Sequence, residues 1–437
     1  MINLIVEISK YVMIFLMILY AYLNFRFFGV KDEEKQNRIC VEQNFLMFVI
    51  HFLAYLTLYL KLEDGQILMF YWIQVFFFLA YLILSRVFYR NISRLLLNNM
   101  CMLLCVGFVM LTRLDPDRAF RQFAIVFVSA LVTWIIPFII DRTWQLARIP
   151  WVYGGIGLLL LLIVYVRGIT SYGAQLSISI GGIGFQPSEF VKISFVFFIA
   201  TMFYHSVEFK TVAVTTAIAA VHVLILVASK DLGSALIFFI TYVFMLFIAT
   251  SNCFYLASGL AGGSIAAFLA YKLFPHVQVR VSAWLDPWSD VENKGYQIAQ
   301  SLFAIGTGGW FGLGLCQGIP NKIPVVEKDF IFAAISEEMG GIFAICVVFI
   351  CLGCFLQFMM VAARMQAVFY KLIAAGLGCV YIVQVLLTVG GVVKFIPLTG
   401  VTLPLVSYGG SSVMSTFIIF QVIQGLYVLK KNEEEEE

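Results

Sequence analysis

Asp329 is followed directly by Phe330-Ile331-Phe332, so a carboxylate stands where a polar segment gives way to an apolar one. Partial desolvation at such a boundary raises a carboxyl pKa and its basicity, which suits a general base. The same placement suits a helix N-cap, because an aspartate there accepts from free backbone N–H groups and complements the dipole. Residues 276–328 precede it and carry Arg280, Asp286, Pro287, Trp288, Asp290, Glu292 and Lys294, then the stretch GYQIAQSLFAIGTGGWFGLGL, then Glu327 and Lys328. A polar, aromatic, glycine-rich segment of about fifty residues is far longer than a connector needs, and long loops of this kind carry function. Glycines 306, 308, 309, 312 and 314 follow no strand and belong to no βαβ unit, so they read as turn and packing residues and not as a nucleotide-binding loop.

A second polar segment, residues 168–189, closes with Gln186-Pro187-Ser188-Glu189, and Lys192 lies three residues later inside an apolar run. A lysine within a span is a functional candidate by default. The i, i+3 spacing of Glu189 and Lys192 also permits a structural ion pair on one helix face. Asp231 opens another apolar run, Lys394 lies between Gly391 and Pro397 at the end of a further one, and Ser411 follows the pair Gly409-Gly410.

The elements that must hold these residues are membrane helices. Of 437 residues 62% are hydrophobic and only 12% charged, and the mean hydropathy is +0.96, which excludes a soluble globular chain. The apolar runs are about 20 residues long, enough for a helix to cross roughly 30 Å of hydrocarbon and too long and uniform for barrel strands. The expected fold is an all-α polytopic bundle of about thirteen spans. Three end near Phe28, Leu62 and Tyr89; ten more begin near Asn99, Ala119, Pro150, Glu189, Thr211, Leu232, Phe254, Phe330, Ala367 and Gly409. This divides the chain into an N-terminal three-helix extension (1–98), a ten-helix body (99–431) with a large loop at about 275–329, and an acidic tail (432–437) read as a solvated, disordered charge run. The N-terminus lacks a basic region and a small-residue cleavage site, so its apolar run is expected to stay as a helix.

Loops with Arg26, Lys31, Lys35 and Arg38, with Arg86, Arg90 and Arg94, and with Arg142 and Arg148 alternate with loops poorer in positive charge, a pattern continued by Arg364, Lys371, Lys430 and Lys431. By the positive-inside rule these face the cytoplasm, placing the N-terminus and both long loops outside and the C-terminus inside. The net charge of +3 is spread along the chain, so no nucleic-acid partner is expected. Nine cysteines lie mostly in apolar runs as small hydrophobes, and four scattered histidines offer no metal-ligand spacing.

Several ordered motifs resemble the SEDS family (shape, elongation, division and sporulation), the RodA, FtsW and SpoVE type. They are FQPSEFVKI at 185–193, KDLGSAL at 230–236, LDPW with the glycine-rich stretch, DFIFAAISEEMG at 329–340, and IPLTGVTLPLVSYGGSS ending at Ser412. The resemblance implies a bacterial cell-membrane peptidoglycan glycosyltransferase that polymerises lipid II, with Asp329 as the family's catalytic aspartate. It further implies substrate contacts from Arg280, Lys394, Lys192 and Glu189, and from Asp231, Gln186, Ser188 and Ser411. A class B penicillin-binding protein, a transpeptidase, is the implied partner beside the membrane lipid. The chain departs from the family's usual pattern at Glu327-Lys328, where His-Thr is common, at Leu176-Ser177-Ile178, where Arg-Trp-Ile is common, and at Ser229-Lys230, where Gln-Pro is common.

A pyrophosphate leaving group needs no protonating acid, so one carboxylate base suffices for transfer. Cations would counter its charge; no carboxylate cluster has spacing specific to a metal, and a divalent cation such as Mg or Mn is admitted only in that shared role. Two other classes stand beside the enzyme: a lipid II flippase, which calls for ionisable residues at mid-membrane, and a non-catalytic scaffold, whose three extra helices and GxxxG face at residues 259–263 would pack partners.

Overall fold

The computed structural model describes residues 2–142, 144–171, 174–180 and 183–436. The extension consists of α1 (Ile2–Gly29), α2 (Glu33–Leu62) and α3 (Gly65–Phe88). Each entry is set by local chemistry: Asp32 accepts from Glu34 N to cap α2, and Asp64 accepts from Gln66 N to cap α3. The body starts with α4 (Arg94–Leu114), α5 (Pro116–Thr133), α6 (Ile136–Arg142) and α7 (Pro150–Arg167). Its boundary with the extension is therefore the turn before Arg94, a few residues earlier than expected.

Three short antiparallel strands follow, β1 (Ile169–Ser171), β2 (Ala174–Ile180) and β3 (Ile183–Phe185). Then come α8 (Ser188–His205), α9 (Phe209–Ala228), α10 (Leu232–Thr250) and α11 (Cys253–Leu273). The large loop contains α12 (Pro275–Leu285) and α13 (Tyr296–Gly308), and the chain ends with α14 (Ile331–Met339), α15 (Gly341–Arg364), α16 (Val368–Val392) and α17 (Gly410–Glu436).

Twelve helical segments among the described residues are long and apolar enough to cross a membrane. The remaining expected span is α8, which has the 18 residues needed but carries Glu189 and Lys192 in its opening turns. At 1.5 Å per residue it reaches about 27 Å. The all-α polytopic architecture is as the sequence implies, with the small sheet confined to one loop.

Three expectations are corrected. The span expected from Phe330 is broken at Gly340, whose φ of +91° ends α14 and starts α15. A methyl there would meet Gly312 N at 2.5 Å, so the break accommodates the backbone of the large loop, fastened by Leu313 N to Glu337 O (2.9 Å) and Gly314 N to Glu338 O (2.8 Å). The acidic tail is helical through Glu436, continuing α17, with Lys430 to Glu433 at 3.5 Å and Lys431 to Glu33 at 2.6 Å. Gly259 and Gly263 do not offer a face to a partner: α10 occupies it, and methyls there would lie 2.9 Å from Val243 and 2.5 Å from Phe239.

The extension is built into the body. Asn24 of α1 accepts from Asn99 of α4 (2.8 Å), Tyr55 of α2 pairs with Thr112 of α4 (2.9 Å), and Asn98 donates to Cys40 O (2.8 Å). At the opposite end from the arginine-bearing loops, buried Lys10 of α1 donates to Gly312 O (3.3 Å) of the large loop.

Candidate active site

The loop joining α16 to α17, residues 393–409, is held at both ends, and Asp329 sits in its bend. From α12, Arg280 Nη1 donates to Leu398 O (3.3 Å) and Thr399 O (3.1 Å), and one turn later Trp284 Nε1 donates to Lys394 O (3.1 Å). At the far end Ser407 Oγ donates to Lys328 O (2.5 Å), and Tyr408 N donates to Glu327 O (2.8 Å). Between them Gly400 adopts φ +76°, and a methyl on it would lie 3.7 Å from Asp329 Oδ2 and 3.9 Å from Arg280 Nη2. Glycine, carboxylate and guanidinium thus meet at one point.

Asp329 does not cap α14. The cap position is Phe330, with no side-chain cap hydrogen bond, because Asp329 lies one residue too early and faces the loop. Its half-buried carboxylate accepts no hydrogen bond from the described residues and has no cationic nitrogen within the 4.0 Å of an ion pair. Burial raises its pKa, and the charges of Lys328 and then Arg280 offset part of that rise. A carboxylate with raised pKa, free lone pairs and nearby cations is equipped to accept a proton.

Arg280 lies between two carboxylates. Burial works against its charge, while Asp231 and then Asp329 support it. Asp231 caps α10 through Ser234 N (3.1 Å) and accepts from Ser188 Oγ (3.2 Å). Burial raises its pKa, its hydrogen bonds to Ser234 and Ser188 oppose the rise, and Glu189 adds to it. Ser188 Oγ accepts from Gln186 Nε2 (3.2 Å), and Gln186 N donates to Ser411 Oγ (3.0 Å). The structure therefore joins Gln186, Ser188, Asp231 and Ser411 in one hydrogen-bonded chain, and the charge of Asp231 acts through space on Arg280, as that of Asp329 does.

Glu189 and Lys192 form a separate and closed network. Their ion pair measures 2.6 Å, Lys192 also donates to Gln384 Oε1 (2.7 Å), and Ser415 Oγ donates to Glu189 Oε2 (2.9 Å). Gln384 Nε2 in turn donates to Thr402 O (3.0 Å) and Ser412 Oγ (3.3 Å). Lys394 stands apart, half-buried with φ +60° and its ammonium outside any ion pair with the described residues. Sequence reasoning missed Gln384, Trp284, Gly400 and Ser407. An amide inside the apolar run VYIVQVLL signals Gln384; the others reveal themselves only through contacts between distant segments. No group of three or more His, Cys, Asp or Glu side chains among the described residues is arranged to hold a metal ion.

The profile of a family described as cell cycle proteins, of the FtsW, RodA and SpoVE type, matches residues 92–432. This chain belongs to that family. α1–α3 precede the match. The chain is 32% identical over 359 residues to the peptidoglycan glycosyltransferase RodA of Mycobacterium tuberculosis, covering 75% of this chain and 76% of the relative. It is 32% identical over 327 residues to the peptidoglycan glycosyltransferase MrdB of Escherichia coli strain K12, covering 72% and 86%. Among solved structures, a chain from a peptidoglycan synthase complex that coordinates polymerization and crosslinking shares the fold with a TM-score of 0.65 at 24% identity, covering 79% of this chain and 99% of that one. The rod shape determining protein RodA of Thermus thermophilus shares it with a TM-score of 0.57 at 22% identity, covering 77% and 96%. The SEDS resemblance of the motifs and the family match thus agree over the body.

Proposed function

We propose that this chain is a peptidoglycan glycosyltransferase that polymerises lipid II, with Asp329 as general base. The activity follows the relatives named above; the observation that carries the catalytic assignment is the Asp329 carboxylate, raised in pKa, unbonded, and facing Gly400 and Arg280.

The acceptor sugar's 4-hydroxyl attacks the donor's anomeric carbon as the bond from that carbon to the lipid pyrophosphate breaks. The hydroxyl proton passes to Asp329, and the electron pair leaves with the pyrophosphate, which needs no acid. Arg280 spends Nη1 on the carbonyls of residues 398 and 399, which leaves Nη2 beside Asp329 to meet the departing charge. Lys394 is the second cation for that task. Gln186, Ser188, Asp231 and Ser411 form the polar wall against which the sugars are placed. Glu189 and Lys192 support that wall from below, because each is already engaged inside the bundle. A divalent cation such as Mg or Mn would add positive charge beside the pyrophosphate; no group of three or more His, Cys, Asp or Glu side chains among the described residues is arranged to hold one.

The arginine-bearing loops lie at one end of the bundle and the site at the other, which supports a bacterial cell membrane orientation with the N-terminus outside and the C-terminus in the cytoplasm. A class B penicillin-binding protein is the proposed partner, a reading supported by the complex that contains the structural neighbour. The test is polymerisation of purified lipid II by the chain with its transpeptidase. Wild type is expected to make glycan strands and Asp329→Ala, folded to the same extent, none; equal strands from both would remove Asp329 from the chemistry.

A further inference from the structure

The reacting carboxylate accepts no hydrogen bond from the described residues, so its place is set by the residues on either side. Residues 327 and 328 are tied to distant segments by three contacts. Two are hydrogen bonds accepted by backbone carbonyls, from Tyr408 N to Glu327 O (2.8 Å) and from Ser407 Oγ to Lys328 O (2.5 Å). The third is an ion pair from Arg118 Nη1 to the Glu327 carboxylate, and the same guanidinium lies 5.9 Å from the centre of the Tyr408 ring. Arg118 is in the first turn of α5, more than two hundred residues away in sequence, and its own place is fixed by Asp115, the α5 cap, at 3.0 Å. Gln122, one turn further along the same helix, donates to Ser407 O (3.0 Å) and accepts from Gly409 N (3.3 Å). α5 therefore grips both strands of the crook: Glu327 with Arg118, and residues 407 and 409 with Gln122.

We propose that Arg118, through Glu327, is a positioning residue that holds Asp329 at the angle and depth its base role requires. The proposal rests on that role for Asp329. Arg118 is 41% exposed, which screens the pair and limits what it adds to stability, while Glu327 is 12% exposed and mostly buried. Its value lies in direction. Glu327 is held by side chain and backbone at once, so release of the side chain leaves the segment free to pivot on its two backbone bonds. A displacement of a reacting group by about 1 Å is enough to slow a reaction by as much as 10²-fold.

The experiment compares Arg118→Gln, Glu327→Gln, the double variant and the conservative Arg118→Lys in lipid II polymerisation with the transpeptidase present, beside Asp329→Ala. The expected result is a fall in kcat of about 10-fold or more for each single variant with KM little changed. The double variant is expected to fall no further than either single one, and Arg118→Lys to recover part of the loss. Wild-type kcat in the single variants while Asp329→Ala is inactive overturns the proposal and leaves the function standing. Losses that multiply in the double variant, or that follow the amount of folded protein and not kcat per folded molecule, also overturn it. Polymerisation by Asp329→Ala at the wild-type rate overturns the function itself.

Discussion

Two carboxylates in this chain stand near the starts of two helices, and their surroundings assign them different work. Glu189 opens α8 and is engaged through Oε2 by Lys192 and Ser415, while its partner Lys192 also donates to Gln384. Asp329 precedes α14, has two cations nearby and accepts from neither. Both sites are costly to form, because charge is taken out of water in each. The difference is completeness. A closed network fixes helices relative to one another, whereas an open one keeps lone pairs available for a substrate proton.

The contrast breaks most sharply at Asp329. Asp329→Asn keeps shape and removes the base, and is expected to lower the polymerisation rate by roughly 10²- to 10⁴-fold with thermal unfolding in detergent little changed. A variant that retains the wild-type rate shows that the open carboxylate is not the base.

Lys192→Met tests the other side. Leaving Glu189 buried without its cation is expected to cost about 3–5 kcal/mol, read as a lower unfolding temperature and poor recovery. Pairing it with Glu189→Gln is expected to restore most of that stability. If Lys192→Met is fully stable and loses only activity, the network belongs to the chemistry.

A finer distinction lies in the pH profile. Burial raises the Asp329 pKa and Lys328 and Arg280 lower it, so the basic form is gained as pH rises and kcat/KM falls on the acid side, below a pKa above the ordinary carboxylate value. Arg280→Gln removes one lowering influence and is expected to move that acid limb to higher pH, with a rate loss of about 10-fold from the missing charge. A limb that stays in place separates Arg280 from Asp329. For folding the sign is opposite: a raised carboxyl pKa favours the neutral form, so its stabilising contribution is complete at low pH and lost as pH rises through the folded value.

The smallest effect is expected at Gly400. Gly400→Ala places a methyl 3.7 Å from Asp329 Oδ2 on a backbone with φ +76°, and the conformational strain is about 1 kcal/mol. Calorimetry is expected to register that loss, and a larger fall in kcat than in stability would mark the crook as part of the reacting geometry.

Much of this was legible in the sequence, for physical reasons that differ by region. Long apolar runs between charged breaks locate the spans, since hydrocarbon thickness leaves little choice of length. Asp329, Arg280 and Asp231 stand out because ionisable groups are rare in such a chain. The break at Gly340 is hidden, because membrane helices tolerate glycine and the need for it comes from the backbone of Gly312, far away in sequence. The helical tail is hidden likewise: the pairing of Lys431, just before it, with Glu33 depends on how α2 is placed. The ties from α5 and α12 to the crook around Asp329 are contacts between distant segments, which spacing cannot display.

One consequence concerns how the molecule is assembled. The spanning window of α4 is entirely enclosed by protein, and its Asn98, Asn99 and Thr112 find their partners on α1 and α2. A newly made α4 released alone into lipid would carry two amides and a hydroxyl into a medium that offers them nothing. Because α1–α3 precede it in the chain, those partners already exist when α4 emerges. The extension thereby supplies, earlier in the chain, the hydrogen-bond partners of the first helix of the body.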